Sequence, residues 1–385
     1  MKTFSFQLPT RIEFGNGVSR NVGTEAVALG GTRVLVVTDA GLRAAGLVDP
    51  VVADLEAAGL SAVIFDDVAP NPRDTSVAAG AELAAAEGAD LLVAVGGGSP
   101  MDTAKGIGVI QANGGSIADY EGLDAVSKPI TPLIAVPTTA GTGSEVTFWS
   151  VITDTARSFK MSVGSPLIAP RVALVDPELT LGLPAALTAS TGMDALTHAI
   201  EGYTATLSEP LTDSLALTAV ELIAGSLRRA YANGADVDAR YDMMLASLLA
   251  GVAFGNSDIG GVHCMAEAIG GLYDTPHGVA NAIYLPVVME YNSVAVPQKF
   301  ARLAAALGED VSGLGTAQAA KRAAAAVREL ADDLRIPSAA EVGVDPKDFD
   351  RLAAAAAVNV SVGSNPRAAA ECDFRELYRV AHKRG

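Results

Sequence analysis

Two domains of different class are predicted by this sequence: a parallel-sheet, Rossmann-like α/β domain over residues 1–182 and an all-α domain over residues 183–385. Three observations predict them. The 385 residues exceed the size at which a single hydrophobic core stops growing. In the first half, short β-branched runs alternate with helix-like stretches. Beyond residue 182 such runs become scarce, and Ala- and Leu-rich segments with 3.6-residue spacing take over.

Taken in order, RVLVVT at 33–38 reads as the first clear strand, followed by a helix through ADLEAAGL at 53–60. AVIFDD at 62–67 is a second strand, and APNPRD turns the chain into an Ala-rich helix near 75–88. DLLVAVGGGS at 90–99 is an apolar strand ending in three glycines, with a helix opening at about Pro100. PLIAVP at 132–137 is a further strand that ends in TTAGTGSE. Apolar strands separated by helices are the pattern of a parallel sheet covered on both faces. The second half divides into helices near 184–204, 209–232, 237–255, 261–271, 277–290, 297–307, 313–335 and 346–359. The Ala-rich stretches at 318–326 and 352–357 are plain helix formers.

Half the residues are hydrophobic and 18% are charged, a balance that excludes a disordered chain. The formal charge of −17 argues against nucleic acid and against anionic membrane surfaces, which need clustered Lys and Arg. Cys264 and Cys372 stand at unrelated positions and form no disulfide framework, as in a reducing cytosol. MKTFSFQLPTRIEFGNG has no apolar leader pattern, and no run reaches the ~18 apolar residues of a spanning helix. A soluble, cytoplasmic protein is the expectation.

Gly96, Gly97, Gly98 and Ser99 fall where a buried strand stops and a helix starts. Glycines there let the backbone approach an anion, and a helix N-terminus offers free N–H groups and a favourable dipole. The same turn serves equally as a tight connection. It is not G-x-G-x-x-G, because Met occupies position 101. Thr138, Thr139, Thr142 and Ser144 follow the next strand and place hydroxyls on the same sheet edge, where open α/β sheets bind ligands. Asp39 ends the first clear strand. It is either a helix N-cap or the acceptor of an adenosine ribose hydroxyl, which would repel a 2′-phosphate.

Histidine is scarce, at positions 198, 263, 277 and 382, the last in an exposed-looking AHKRG tail. Asp194 and His198 are spaced i, i+4 and share one helix face. His263 begins a helical stretch, and His277 follows Pro276 near the start of the next. One carboxylate and three imidazoles suit Fe²⁺ or Zn²⁺ with coordination positions left open for substrate oxygen. A helical histidine is also an ordinary structural residue, and spacing alone does not bring 198 to 263 and 277.

VAVGGGSPMDTAK, AVPTTAGTGSEVT, GMDALTHAIEGY and the H-x13-H span from His263 to His277 with its PHGVANA ending resemble the iron-containing (group III) alcohol dehydrogenases. The likeness runs from PTRIEFGNG to NPRAAAECDF. It implies a dinucleotide-binding α/β domain, a helical metal-binding domain and catalysis between them. It implies one divalent metal, Fe²⁺ or alternatively Zn²⁺, on Asp194, His198, His263 and His277. Cofactor contacts are implied at Asp39, Gly97, Ser99, Thr138, Thr139 and Lys160. Asp102, within the glycine motif, joins Gly96, Gly98, Thr142 and Ser144 in that cofactor set. Asp39 favours NAD over NADP, and homodimers or larger assemblies are the family habit.

One position departs. Where many members carry a second histidine one turn after the third ligand, this chain has Glu267. Glu267 is expected to relay protons, approach the metal or attract a cationic substrate, or else to be a surface glutamate bonded to a neighbour. The resulting expectation is a metal-assisted, NAD(P)-dependent alcohol dehydrogenase and aldehyde reductase, with His263, His277 and Glu267 at the chemistry. Substrate contacts are expected from aromatics such as Phe148, Trp149, Phe254 and Tyr273. The alternatives are a maleylacetate reductase-like enzyme or a dehydroquinate synthase-like lyase, both of which need basic pockets that this helical half does not show.

Overall fold

The computed structural model describes residues 3–383. The chain divides into two compact units. One comprises Leu8–Thr139 and Gly143–Leu181; the other comprises Met1–Gln7, Ala140–Thr142 and Gly182–Gly385.

The first unit carries nine strands. They are β1 (Arg11–Phe14), β2 (Arg33–Val37), β3 (Ser61–Phe65), β4 (Leu91–Gly96), β5 (Gly122–Leu123), β6 (Leu133–Pro137), β7 (Trp149–Asp154), β8 (Phe159–Gly164) and β9 (Val172–Val175). Its helices are α1 (Val22–Ala28), α2 (Ala40–Ala44), α3 (Asp49–Ala57), α4 (Asp74–Glu87) and α5 (Gly98–Asn113). Six strands form one parallel sheet in the order β1-β9-β6-β4-β2-β3. Period-2 alternation divides its side chains between two cores. Leu35, Val37, Leu92, Ala94, Leu133 and Ala135 pack with Val77 of α4 and Ile107 of α5. Val34, Val36, Leu91, Val93, Ile134 and Val136 pack with Ala26 of α1 and Leu55 of α3. Both faces are thereby covered, which is why β4 and β6 are buried along their whole length.

One local expectation is corrected, and one element was not anticipated. The helix after the glycines opens at Gly98, two residues before Pro100. The antiparallel hairpin β7–β8 carries no prediction from sequence, because its Ser, Thr, Lys and Asp positions break any apolar run.

The second unit is helical: α6 (Ala185–Thr204), α7 (Pro210–Ala232), α8 (Val237–Ser257), α9 (Gly261–Tyr273), α10 (His277–Ser293), α11 (Pro297–Ala306), α12 (Thr316–Asp333), α13 (Phe349–Ala357) and α14 (Glu371–Lys383). Caps fix several starts. The Glu209 carboxylate accepts from Leu211 N (2.9 Å) and Thr212 N (3.0 Å) ahead of α7, with Pro210 at the first helical position. Asp236 accepts from Ala239 N at 3.0 Å ahead of α8. From Thr188 to Thr204 every residue of α6 except Thr191 is buried. Ala381, His382 and Lys383, the described part of the AHKRG end, lie within α14 rather than in a separate tail. This helix buries Phe374, Leu377, Tyr378 and Ala381, and the His382 ring lies edge-on to Phe349 at 5.6 Å. No single helix among the described residues is long and apolar enough to cross a membrane.

Candidate functional site

In the α/β unit, β2, β4 and β6 are neighbours and parallel, so the residues that end them share one edge. Asp39 follows β2, Gly96 ends β4, and Thr138 and Thr139 follow β6. Gly96 has φ 154°, and a Cβ there would lie 2.5 Å from Pro100 Cγ, so only glycine makes this turn. Gly97 precedes the first turn of α5, and its own missing Cβ would meet Thr139 Oγ1 at 3.1 Å. Thr138 N donates to Gly96 O at 3.0 Å, which joins the glycine turn to the hydroxyl segment. The Thr138 hydroxyl is buried without a hydrogen-bond partner. Ser99 Oγ donates to Pro70 O at 3.0 Å. Asp39 does cap α2, its Oδ1 accepting from Leu42 N at 2.9 Å.

Asp102 and Ser144 are engaged in a buried network around Lys105. Lys105 Nζ donates to Ser144 O, Ser144 Oγ and Trp149 O, each at 2.7 Å. Ser144 Oγ donates in turn to Asp102 Oδ1 (2.7 Å), whose Oδ2 accepts from Val151 N (3.0 Å). Burial lowers the Lys105 ammonium to about 8 and pushes the neighbouring Glu145 carboxyl up to about 7. Lys160 stands on β8, its Nζ donating to Asn71 Oδ1 at 2.8 Å. Thr142 lies in the short segment that groups with the helical unit.

In that unit the structure brings Asp194, His198, His263 and His277 together. One donor atom from each lies within 4.8 Å of the others. Asp194 and His198 project from consecutive turns of α6, His263 from the first turn of α9, and His277 opens α10 after Pro276. The Nε2 atoms of His198 and His263 are 3.0 Å apart, and His277 Nε2 is 3.7 Å from Asp194 Oδ1. α10 can approach α6 this closely because residue 278 is glycine: a Cβ there would lie 2.3 Å from Ser190 O. Burial opposes charge on Asp194, but His198, His277 and His263 hold its carboxyl below the ordinary range. Burial lowers His198 to about 4, so it is a neutral imidazole at neutral pH. Burial also acts to lower His263, yet the hydrogen bond and charge of Glu201 outweigh it and hold that ring above its usual value.

These four residues fit a metal ion. Four donors on bonds of about 2.1 Å stand ~3.4 Å apart in a tetrahedral site, within the spread observed here. The donor set, one carboxylate and three imidazoles, matches Fe²⁺ or Zn²⁺.

Two neighbours are absent from the residues picked out in the sequence. Asn281, one turn after His277, directs Nδ2 at Asp194 Oδ1 (2.7 Å) and approaches His263 Nε2 (3.1 Å) and His277 Nε2 (3.2 Å). Glu201 lies 2.5 Å from His263 Nδ1. The spacing 194, 198, 201 on α6 is the i, i+4, i+7 stripe that would have pointed to it. Phe254 stacks on His198 at 4.3 Å, whereas the Tyr273 hydroxyl is committed to Asp348. Phe148 and Trp149 stack on each other in the other unit. Glu267 is no surface residue: it is 6% exposed, and Asn359 Nδ2 donates to its Oε2 at 2.6 Å.

Known proteins carry the same plan. Residues 9–177 match the family described as iron-containing alcohol dehydrogenase, and residues 188–382 match the Fe-containing alcohol dehydrogenase family, C-terminal. The choline dehydrogenase of Bacillus subtilis (strain 168) is 44% identical over 382 residues, covering 98% of this chain and 95% of that protein. The NAD-dependent methanol dehydrogenase of Bacillus methanolicus is 45% identical over 378 residues, covering 98% and 99%. The crystal structure of a 1,3-propanediol oxidoreductase superposes with a TM-score of 0.96 at 45% identity, over 99% of this chain and 100% of that one. The protein is thus an oxidoreductase of alcohols and aldehydes. The chain belongs to the iron-containing alcohol dehydrogenase family.

Proposed function

We propose that the chain is an NAD-dependent, metal-assisted alcohol dehydrogenase and aldehyde reductase, with Asp194, His198, His263 and His277 holding one divalent ion. The convergence of their four donor atoms within 4.8 Å carries this reading. Ferrous iron is the proposed ion, and Zn²⁺ suits the same donors. When bound, the ion supplies Lewis-acid polarisation of the substrate oxygen, while hydride acceptance belongs to the nicotinamide.

The chain's own share is binding and orientation. Gly96, Gly97, Gly98 and Ser99 at the N-terminus of α5 receive the pyrophosphate. Thr138, Thr139, Thr142 and Lys160 complete the cofactor contacts, and the unpartnered Thr138 hydroxyl supports that assignment. Asp102 and Ser144 belong to the same set through the Lys105 network, which ties Asp102 of α5 to Ser144 after β6. Asp39 keeps one oxygen on its helix cap and directs charge at the ribose, which favours NAD over NADP. The name of the Bacillus methanolicus relative supports the same choice. His263 and His277 border the reacting oxygen, and Glu267, buried one turn beyond His263, recognises a cationic group on the alcohol. The choline dehydrogenase relative supports that substrate class. A cytoplasmic homodimer or larger homo-oligomer belongs to the same proposal.

Removal and return of metal tests the reading. Chelator-treated protein is expected to lose NADH formation from small alcohols and to regain it with Fe²⁺ or Zn²⁺. His263→Ala is expected to lose bound metal and activity together, and NAD to outperform NADP. Full activity without metal, or no NAD(P)-linked turnover across a panel of simple, diol and quaternary-ammonium alcohols, would overturn it.

A further inference from the structure

We propose that Glu201 is a positioning residue of the metal centre, one carboxylate that both selects which nitrogen of His263 faces the ion and caps the helix carrying that histidine. The inference rests on the metal reading above. Glu201 is 4% exposed. Its Oε2 lies 2.5 Å from His263 Nδ1, and its Oε1 accepts from Val262 N at 2.7 Å. Oε2 also faces His263 N at 3.4 Å.

A carboxylate only accepts, so the hydrogen bond requires the proton of His263 to sit on Nδ1. Nε2 then turns a lone pair toward the cluster. Asn281 agrees, because its amide nitrogen faces that Nε2 as a donor at 3.1 Å. His198 is set the same way by a backbone group, its Nδ1 standing 3.3 Å from Gly141 O. Two of the three imidazoles are therefore oriented from outside, one by a carbonyl that no substitution removes and one by Glu201. Glu267, the other buried carboxylate of α9, has its Oε2 accepting from Asn359.

The second task is local to α9. The residue before this helix is Gly260, with no side chain to cap it, and Gly261 follows. The first amides must find acceptors elsewhere. Gly261 N donates to Asn365 Oδ1 at 3.0 Å, and Val262 N relies on Glu201. His263 and its helix are thus tied to α6 by the same group. Glutamine brings one acceptor where two are needed, and its amide N–H would face either Val262 N or His263 Nδ1. Aspartate is one methylene short of spanning both.

At a pH alkaline enough to make the His263 ring neutral, metal-free protein with ¹⁵N-labelled histidine reads the tautomer directly, and wild type is expected to carry the His263 proton on Nδ1. Glu201→Gln should shift the proton toward Nε2 and weaken binding of ferrous iron, titrated anaerobically, about 10–100-fold. Should that variant fail to fold, Glu201→Asp, which keeps the charge, carries the same two readouts with the same expectation. A Glu201→Gln protein with lowered thermal stability but unchanged tautomer and iron affinity would reduce Glu201 to a helix cap and overturn the inference. A neutral His263 ring protonated on Nε2 in wild type overturns it as well. Wild-type protein that takes up no iron refutes the functional reading itself, which is distinct from iron-binding wild type matched by Glu201→Gln.

Discussion

Alanine at position 278 tests whether a close backbone approach sets the dimensions of the metal centre. The added Cβ would lie 2.3 Å from Ser190 O, 2.8 Å from Ser190 C and 3.3 Å from Asp194 Cβ. The first two of these neighbours are main-chain atoms of α6, so no side chain can swing aside. Non-bonded atoms rest near 3.5 Å, so α10 must move off α6 by roughly 1 Å. That movement adds to the 3.7 Å between His277 Nε2 and Asp194 Oδ1. Coordination tolerates errors of only about 0.2 Å, so His277 and Asp194 cease to fit one ion. The packing strain costs about 1–3 kcal/mol, which a domain stable by 5–15 kcal/mol survives. Gly278→Ala is therefore expected to fold, to melt lower without metal, and to bind ferrous iron at least about tenfold more weakly, or ~1.4 kcal/mol. Calorimetric titration of iron and thermal unfolding of metal-free protein measure the two effects separately. Lowered stability with undiminished iron affinity would refute the reasoning.

Two further outcomes are expected. Glu145 is 1% exposed, its Oε1 has no hydrogen-bond partner, and burial pushes it from 4.5 to about 7. Between those values the native chain keeps a proton that the unfolded chain releases. This group's stabilising contribution is therefore full below pH 4.5 and is lost as pH rises through 7. Glu145→Gln should gain on wild type across that window by up to ~3 kcal/mol, in denaturant titrations read from Trp149, the single tryptophan; a difference that stays flat with pH removes the buried acid. Glu267→Gln should keep its metal and lower kcat/KM for choline relative to 1,3-propanediol about tenfold or more, and an unchanged ratio in steady-state assays would sever Glu267 from substrate charge.

The α/β sheet and the helical second half were legible because burial on two faces leaves unbroken apolar strands, and long helices leave 3.6-residue periodicity. β2, β4 and β6 stand in the sequence as VLVV, LLVAV and LIAV. The β7–β8 hairpin does not, because Lys160 and Asp154 interrupt it and find partners in residues such as Asn71 and Arg157. The α14 end reads as a charged tail for a related reason: its apolar residues are few and spaced for one face. Scarcity marked the three histidines, and the helical pair marked Asp194. Glu201 and Asn281 are common residue types, and their meaning lies in distances across 62 and 87 positions of chain to His263 and Asp194.

α6 is enclosed along almost its whole length, with Thr191 alone exposed enough to vary after the first turn. Asp194, His198 and Glu201 consequently lose their rotational freedom when α7, α8 and α10 close around them during folding. The ordering cost of those side chains falls on folding, so an ion binding at the proposed site would meet a pre-ordered receptor. The same enclosure leaves this helix almost no face on which mutations can accumulate quietly, so variation in ion or substrate preference must come from the residues around it.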